Sequence, residues 1–379
     1  MKSKRLGATL IIRRNEMNSG SKGGYPDLVF SVIIANHNYE RYLKQAIDSA
    51  LAVDWPNIEV IVVDDGSTDG SRDIIKSYGS RILAECLPKS SQLDVRNHGF
   101  SISSGDIIAF LDSDDLLEPS IMRRLISVWS DRVSKVQVQM GTIDADGNDL
   151  RSNFPGYEYV PTGEDCRGWS LDTGSYPTPP GSGNFYARWF LASIFPLDHS
   201  CGDATDSCCV TAAPLIGDVI TIPQVLAFYR VHGSNLGAIS GLQPRGLHRQ
   251  IVRGQQRFEY MKRIALTCGL SVTASGPHFS LHYLMYRAAS LRLSPAEHPI
   301  PKDSRYLIIQ HAYAATLRPQ GFGVSSRTLI FLWICAVMWA PFAMAAWLMR
   351  IRFDSQYRAT QKSQWKKVLT FGIYPNAKR

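Results

Sequence analysis

Cysteine is scarce in this 379-residue sequence, and it is not spaced to bind or to bridge. The seven cysteines (Cys86, Cys166, Cys201, Cys208, Cys209, Cys268 and Cys335) are odd in number and contain no C-x2-C spacing. That excludes a finger or ribbon zinc site, and it argues against a disulfide framework in a chain this long. The vicinal pair Cys208–Cys209 reads as small apolar filler on a helix. A positive folded body is missing too, although the net charge is +8. Residues 1–27 hold six Lys/Arg and two acids, and residues 350–379 hold eight and one, which leaves residues 28–349 near −3. A nucleic-acid binder carries its positive charge on the folded surface, so nucleic acid is not an expected partner. Basic flanks suit an anionic lipid surface better. The apolar run Leu10–Ile12 is too short for a signal-peptide core, so residues 1–27 are expected to form a flexible basic arm.

What is present from residue 28 is regular alternation. FSVIIAN, NIEVIVVDD, RILAECL and DIIAFLDS are buried-strand runs, and helical spacing separates them. A fifth strand is expected at KVQVQMGTI, and another at QVLAFYRVHGSN. This order predicts an α/β fold with a mainly parallel sheet, whose ligands lie beyond the carboxyl ends of the strands. The edge to inspect is therefore Asn36–Tyr39, Asp64–Ser67 and Asp112–Asp115. Residues 151–200, rich in Gly, Pro and aromatics, read as a substrate-facing loop region, and residues 241–328 as mostly helical.

Two acidic clusters fall on that edge: Asp64 and Asp65 in VVDDGSTDGS, and Asp112, Asp114 and Asp115 in FLDSDDLLEP. Gathered carboxylates are costly unless something positive joins them. Hard oxygen ligands suit Mn2+ or Mg2+, which also bind substrate phosphates. A cation bridging a diphosphate would neutralise the leaving group of a transfer reaction.

The stretch SVIIANHNYERYLKQAIDSAL…WPNIEVIVVDDGSTDGS, followed in order by SSQLDVRNHG and IIAFLDSDDLLEP, resembles the nucleotide-sugar domain of family 2 glycosyltransferases, of GT-A fold. The resemblance covers about residues 30–240. It implies a GT-A-like, parallel-dominated sheet flanked by helices, and transfer from a nucleotide-diphosphate sugar with inversion at the anomeric carbon. It implies that Asp65 meets the nucleobase, with Asp64 holding the loop, and that Asn36 meets base or ribose. Arg96 and Asn97 match a donor-contacting segment. Asp114 is the implied metal ligand, Asp112 a ribose or water-mediated contact and secondary ligand, and Asp115 a support for donor or loop. FYRVHGSN resembles a segment in which His232 completes the metal shell and Arg230 offsets phosphate charge. Gly181–Asn184 resembles an acceptor-side segment. The base that deprotonates the acceptor falls on Asp206, eleven residues before Gly217 with Ala213–Pro214–Leu215 between, or alternatively on Asp203. The family's Glu–Asp pair is absent there. The implied donor is a UDP-sugar first.

Residues 329–349 contain no charged and no polar side chain. As one helix they would reach roughly 31 Å, enough to span a bilayer. Eight Lys/Arg from residue 350 onward favour the same side of the membrane as the catalytic domain, which conflicts with a single spanning helix; a re-entrant or in-plane helix bent at Pro341 reconciles the two and is the favoured arrangement. The expected organisation is an arm (1–27), a glycosyltransferase domain (28–240), a helical, interfacial region (241–328), a membrane helix, spanning or re-entrant (329–349), and a basic tail (350–379). The expected location is the cytoplasmic face of the membrane, in contact with lipid. The expected acceptor is a glycan or a polyprenyl-linked glycan in cell-surface polysaccharide assembly. Two other readings compete. One is an inactive scaffold of the same fold. The other is a nucleotidyltransferase, disfavoured because NHNYERY has no glycine for a phosphate loop.

Overall fold

A computed structural model describes residues 27–199, 205–232, 243–272, 276–318 and 321–353. Four apolar runs form β1 (Phe30–Asn36), β2 (Ile58–Asp65), β3 (Leu83–Leu87) and β4 (Ile107–Asp112). They lie parallel in the order β3-β2-β1-β4. Helices α1 (Glu40–Leu51), α2 (Ser71–Ser77) and α3 (Gln92–Ile102) make the crossovers. The strand period of two divides β1 between both faces: Val32 and Ile34 pack with Leu43 and Ile47 of α1, and Ile33 packs with Val95 of α3. Each fully buried side chain of this kind contributes about 1.5–3 kcal/mol. Both faces are covered, which explains why these strands are continuous apolar runs.

Past β5 (Leu116–Leu117) and α4 (Ile121–Ile126) the sheet becomes mixed. Strands β6 (Val133–Ile143), β7 (Asp149–Phe154), β8 (Asn184–Ala187) and β9 (Asp218–Arg230) complete the order β3-β2-β1-β4-β8-β6-β9-β5, with β7 beside β6. Strand β8 runs antiparallel to both β4 and β6, while β9 is parallel to β6 and antiparallel to β5. The sheet is thus parallel in one half and mixed in the other.

The stretch 151–200 is built, contrary to the loop expectation. It contains the end of β7, α5 (Gly163–Thr173), β8 and α6 (Arg188–Ile194). Helix α5 starts from a capping box in which Thr162 and Asp165 exchange hydrogen bonds, a T-x-x-D signature that its Gly/Pro-rich surroundings obscure. Helix α7 (Thr205–Ile216) carries buried Cys208 and Cys209, as expected of apolar filler.

The C-terminal region is a helical layer of α8 (Pro244–Thr267), α9 (Leu281–Leu293), α10 (Arg305–Thr316), α11 (Val324–Trp339) and α12 (Phe342–Phe353). Helix α8 joins it to the sheet domain: Phe258 and Met261 pack among the sheet-side residues, and Leu247 packs among the helical ones. The spanning form of 329–349 is not seen, while the bend expected at Pro341 is. The apolar run 329–349 is cut at Pro341 into α11 and α12, because proline lacks the N–H and clashes with the preceding turn. Helix α11 has 16 residues, about 24 Å at the helical rise against the ~30 Å of a bilayer core. Among the described residues, no helix is long and apolar enough to cross a membrane.

Candidate active site

The parallel register brings the acidic clusters to one edge. Asn36 ends β1 opposite Asp64 of β2, and Ala35 stands opposite Asp112 at the end of β4. Asp64 is fully buried and accepts hydrogen bonds from Asn36 Nδ2 (2.9 Å), Ser67 N (3.0 Å), Ser67 Oγ and Arg72 Nε (3.0 Å). Burial pushes its carboxyl up, but these donors outweigh it and hold it below the ordinary value. Asn36 is 1% exposed and also donates to Ser67 Oγ. Its amide nitrogen is a strut for the DDGS loop, while its Oδ1 is buried with no hydrogen-bond partner. Asp65 accepts from Lys89 Nζ, Ser90 N (2.6 Å) and Ser90 Oγ (2.9 Å). Burial raises its carboxyl, while Lys89 and Ser90 together bring it below the usual range. Gly66 closes this turn at φ +67°, with the Lys89 backbone so close that a Cβ would lie 2.7 Å from its nitrogen.

The second cluster is a tight turn in which Asp115 N donates to Asp112 O (3.1 Å). Asp112 pairs with Arg96 Nη2 at 3.1 Å, and Arg96 is itself 5% exposed, with its guanidinium over the Phe110 ring. Burial raises the Asp112 carboxyl; Arg96 opposes the rise, and Asp114 and Asp206 add to it. Asp206, in the first turn of α7, therefore stands within electrostatic reach of Asp112. Asp203 lies outside the described residues. Asp114 Oδ2 is 2.8 Å from His232 Nε2, and the His232 ring packs on Tyr42, with centroids 4.9 Å apart.

Asp115 faces inward. It is wholly buried, accepting from Ser182 Oγ (2.6 Å) and Arg230 N (3.0 Å). Burial and the Asp114 and Asp112 charges raise its carboxyl well above the usual range. Asp115 thus holds the loop. Arg230 is equally buried: its guanidinium donates to Asp114 O (2.8 Å), to the carbonyls of Asp144 and Ala145, and to Gln45 Oε1 (2.6 Å). Asn97 grips the backbone of Leu197 through both its amide groups.

The sequence reading passed over Tyr39 and Lys89, and it named Ser182 only within the acceptor-side segment Gly181–Asn184. Ser182, in the turn Gly181–Gly183, accepts from Asp112 N (3.1 Å) while donating to Asp115. Tyr39 follows β1 beside the acids: burial, then Asp114 and Asp112, push its hydroxyl up to about 12, so it stays a proton donor. Lys89 covers Asp65. A lone serine between glycines carries no local signal of such a role. Tyr39 sat on the inspected edge, but its type named no chemistry.

Among the described residues, no group of three His, Cys, Asp or Glu side chains forms a ready metal cage. Asp114 and His232 converge as a pair, which fits a divalent cation that takes most of its shell from phosphate oxygens and water. A cavity of about 270 Å³ lies apart from these acids, between residues 154–158 and 173–178 and helices α8 and α9, and none of the acids lines it.

Residues 31–185 match the model of glycosyl transferase family 2. The chain is 36% identical over 212 residues to an uncharacterized glycosyltransferase of Nostoc sp., covering 54% of this chain and 65% of that protein. It is 37% identical over 98 residues to glycosyltransferase GlyA of Streptococcus pneumoniae, covering 25% and 14% respectively. The chain therefore spans only part of each relative's length. Among solved structures it is similar to S. aureus TarS residues 1–349 in complex with UDP-GlcNAc, at 17% identity and TM-score 0.48, over 88% of this chain and 93% of that one. Residues 31–185 are thus similar to glycosyl transferase family 2, the family whose model they match.

Proposed function

We propose that the chain is an inverting glycosyltransferase that moves a sugar from a nucleoside-diphosphate donor to a hydroxyl of a glycan or polyprenyl-linked acceptor, in cell-surface polysaccharide assembly at the cytoplasmic face of the membrane. The observation that carries the transfer reading is the convergence of Asp112, Asp114, Arg96 and His232 at one sheet edge, with Asp206 of α7 within electrostatic reach of Asp112. Asp114 and His232 are the residues that would hold Mn2+ or Mg2+, which when bound neutralises the diphosphate leaving group. Asp112, fixed by Arg96, borders the donor's ribose. Asp206 accepts the proton of the acceptor hydroxyl as its oxygen attacks the anomeric carbon and the bond to the diphosphate oxygen breaks. Asp65 reaches a nucleobase only if Lys89, which is more than half exposed, swings aside.

The test is release of nucleoside diphosphate by the purified chain across a panel of sugar nucleotides, UDP-sugars first. Arms with Mn2+, Mg2+ and a chelator, an Asp114→Ala control and a lipid-linked glycan acceptor complete it. Chelator-sensitive release from one donor, lost in the variant, is the expected result. No turnover and no donor binding in any arm would overturn the reading.

A further inference from the structure

Helices α10, α11 and α12 present an apolar face to solvent. Tyr306 is 75% exposed, Trp339 52% and Phe342 56%, and Leu332 and Trp347 are exposed beside them. The face is continuous across elements: the Tyr306 and Trp339 rings meet at 5.5 Å, and the Tyr313 and Phe331 rings at 6.2 Å. From Leu329 onward helix α11 is apolar all round. Its inner side, with Ile330, Ile334 and Val337, is buried against the other helices, and its outer side has no counterpart among the described residues. A helix of this kind in water signals a missing contact.

Cations rim the patch. The Arg305 guanidinium lies over Trp339 at 5.7 Å, and Arg292 lies over Phe342 at 5.9 Å while donating to Ala340 O at 2.7 Å. Arg350 is exposed one turn past Trp347. Residues 304–353 hold five Arg and no Asp or Glu, and residues 354–379 add six Lys/Arg against Asp354.

We infer that this face docks in the plane of an anionic lipid bilayer, with the aromatic rings at headgroup depth and the arginines on lipid phosphates. Interfacial helices bury such a face roughly 5–10 Å deep without crossing, and Trp, Tyr and Arg favour that boundary. A second copy is the poorer occupant. Self-association would set the Arg305, Arg292 and Arg350 rim against its own copy, whereas anionic lipid neutralises it. This inference goes beyond sugar transfer, and its test uses no donor, so either can fail alone.

The test floats the full chain with vesicles of phosphatidylcholine alone or of phosphatidylcholine with phosphatidylglycerol. The wild type should float with the anionic vesicles, less with the neutral ones, and less again in high salt. Trp339→Glu/Trp347→Glu should lower partition roughly tenfold or more for each ring withdrawn. Quenching of wild-type tryptophan fluorescence by brominated lipid is the readout that does not depend on a variant folding. Equal flotation of wild type and variant, or no quenching, would overturn the inference. So would a wild-type dimer that ignores vesicles and falls apart in the variant, because the face would then belong to a second copy.

Discussion

Replacing Ser182 by alanine removes one oxygen from a buried junction that the acidic turn depends on. Ser182 Oγ donates to Asp115 Oδ2 at 2.6 Å and accepts from Asp112 N at 3.1 Å. Its loss leaves a buried N–H and a buried carboxyl each one partner short, at about 1–3 kcal/mol apiece. The upper end is trimmed because Asp115, whose carboxyl already sits well above the usual range, can take up a proton. The expected loss of stability in urea unfolding is therefore about 2–3 kcal/mol. The same turn carries Asp112 and Asp114, and misplacing reacting groups by an ångström costs on the order of 100-fold, so kcat for donor turnover should fall tenfold to about 100-fold. Ser134→Ala is the control. Its hydroxyl is buried as deeply and serves Ala213 O (2.8 Å) and Asp218 O (3.0 Å), away from the acids. It should cost about 1 kcal/mol and leave kcat unchanged. A Ser182→Ala protein with wild-type stability and kcat would refute the junction, and equal kcat losses in both variants would reduce it to general destabilisation.

Three further outcomes follow from the same geometry. Gly66→Ala places a Cβ 2.7 Å from Lys89 N at a φ of +67°; it should destabilise by at least ~1 kcal/mol and weaken donor binding, measured by calorimetry. Asp303 is buried between Arg287 (2.7 Å) and His298 (3.0 Å); burial pushes its carboxyl up, but His298 and Arg287 pull it down to about 2. A carboxyl held below its unfolded value of ~3.9 stabilises above that pH and stops doing so as pH falls towards 2, so about 2 kcal/mol should vanish over that window in acid unfolding. Asp303→Asn should abolish this slope and, by leaving Arg287 buried without its counter-charge, cost about 3–5 kcal/mol at neutral pH.

The parallel half of the fold is legible because β1, β2 and β4 are covered on both faces and so appear as unbroken apolar runs. Their carboxyl ends then mark Asp64, Asp112 and Asp114 by topology alone. The mixed half is harder to read. Strand β8 has four residues, follows a proline- and glycine-rich turn, and is held by partners on both β4 and β6. The inward roles of Asp115 and Arg230 depend on a hydrogen bond between residues 115 positions apart, which no local pattern encodes. Arg230 beside His232 suggests phosphate binding by residue type, yet the guanidinium is spent on carbonyls and Gln45. The 329–349 run is apolar throughout, and Pro341 marks in the sequence the bend that separates α11 from α12.

In the proposed mechanism Asp206 acts on the acceptor while the acids at the end of β4 hold the donor. Asp206→Asn separates the two roles, with nucleoside-diphosphate binding measured in the presence of Mn2+ alongside transfer to acceptor. Binding should stay within about twofold of wild type and transfer should fall by about 10²–10⁴-fold, the share of a general base. Transfer at the wild-type rate with Asn at position 206 would contradict it.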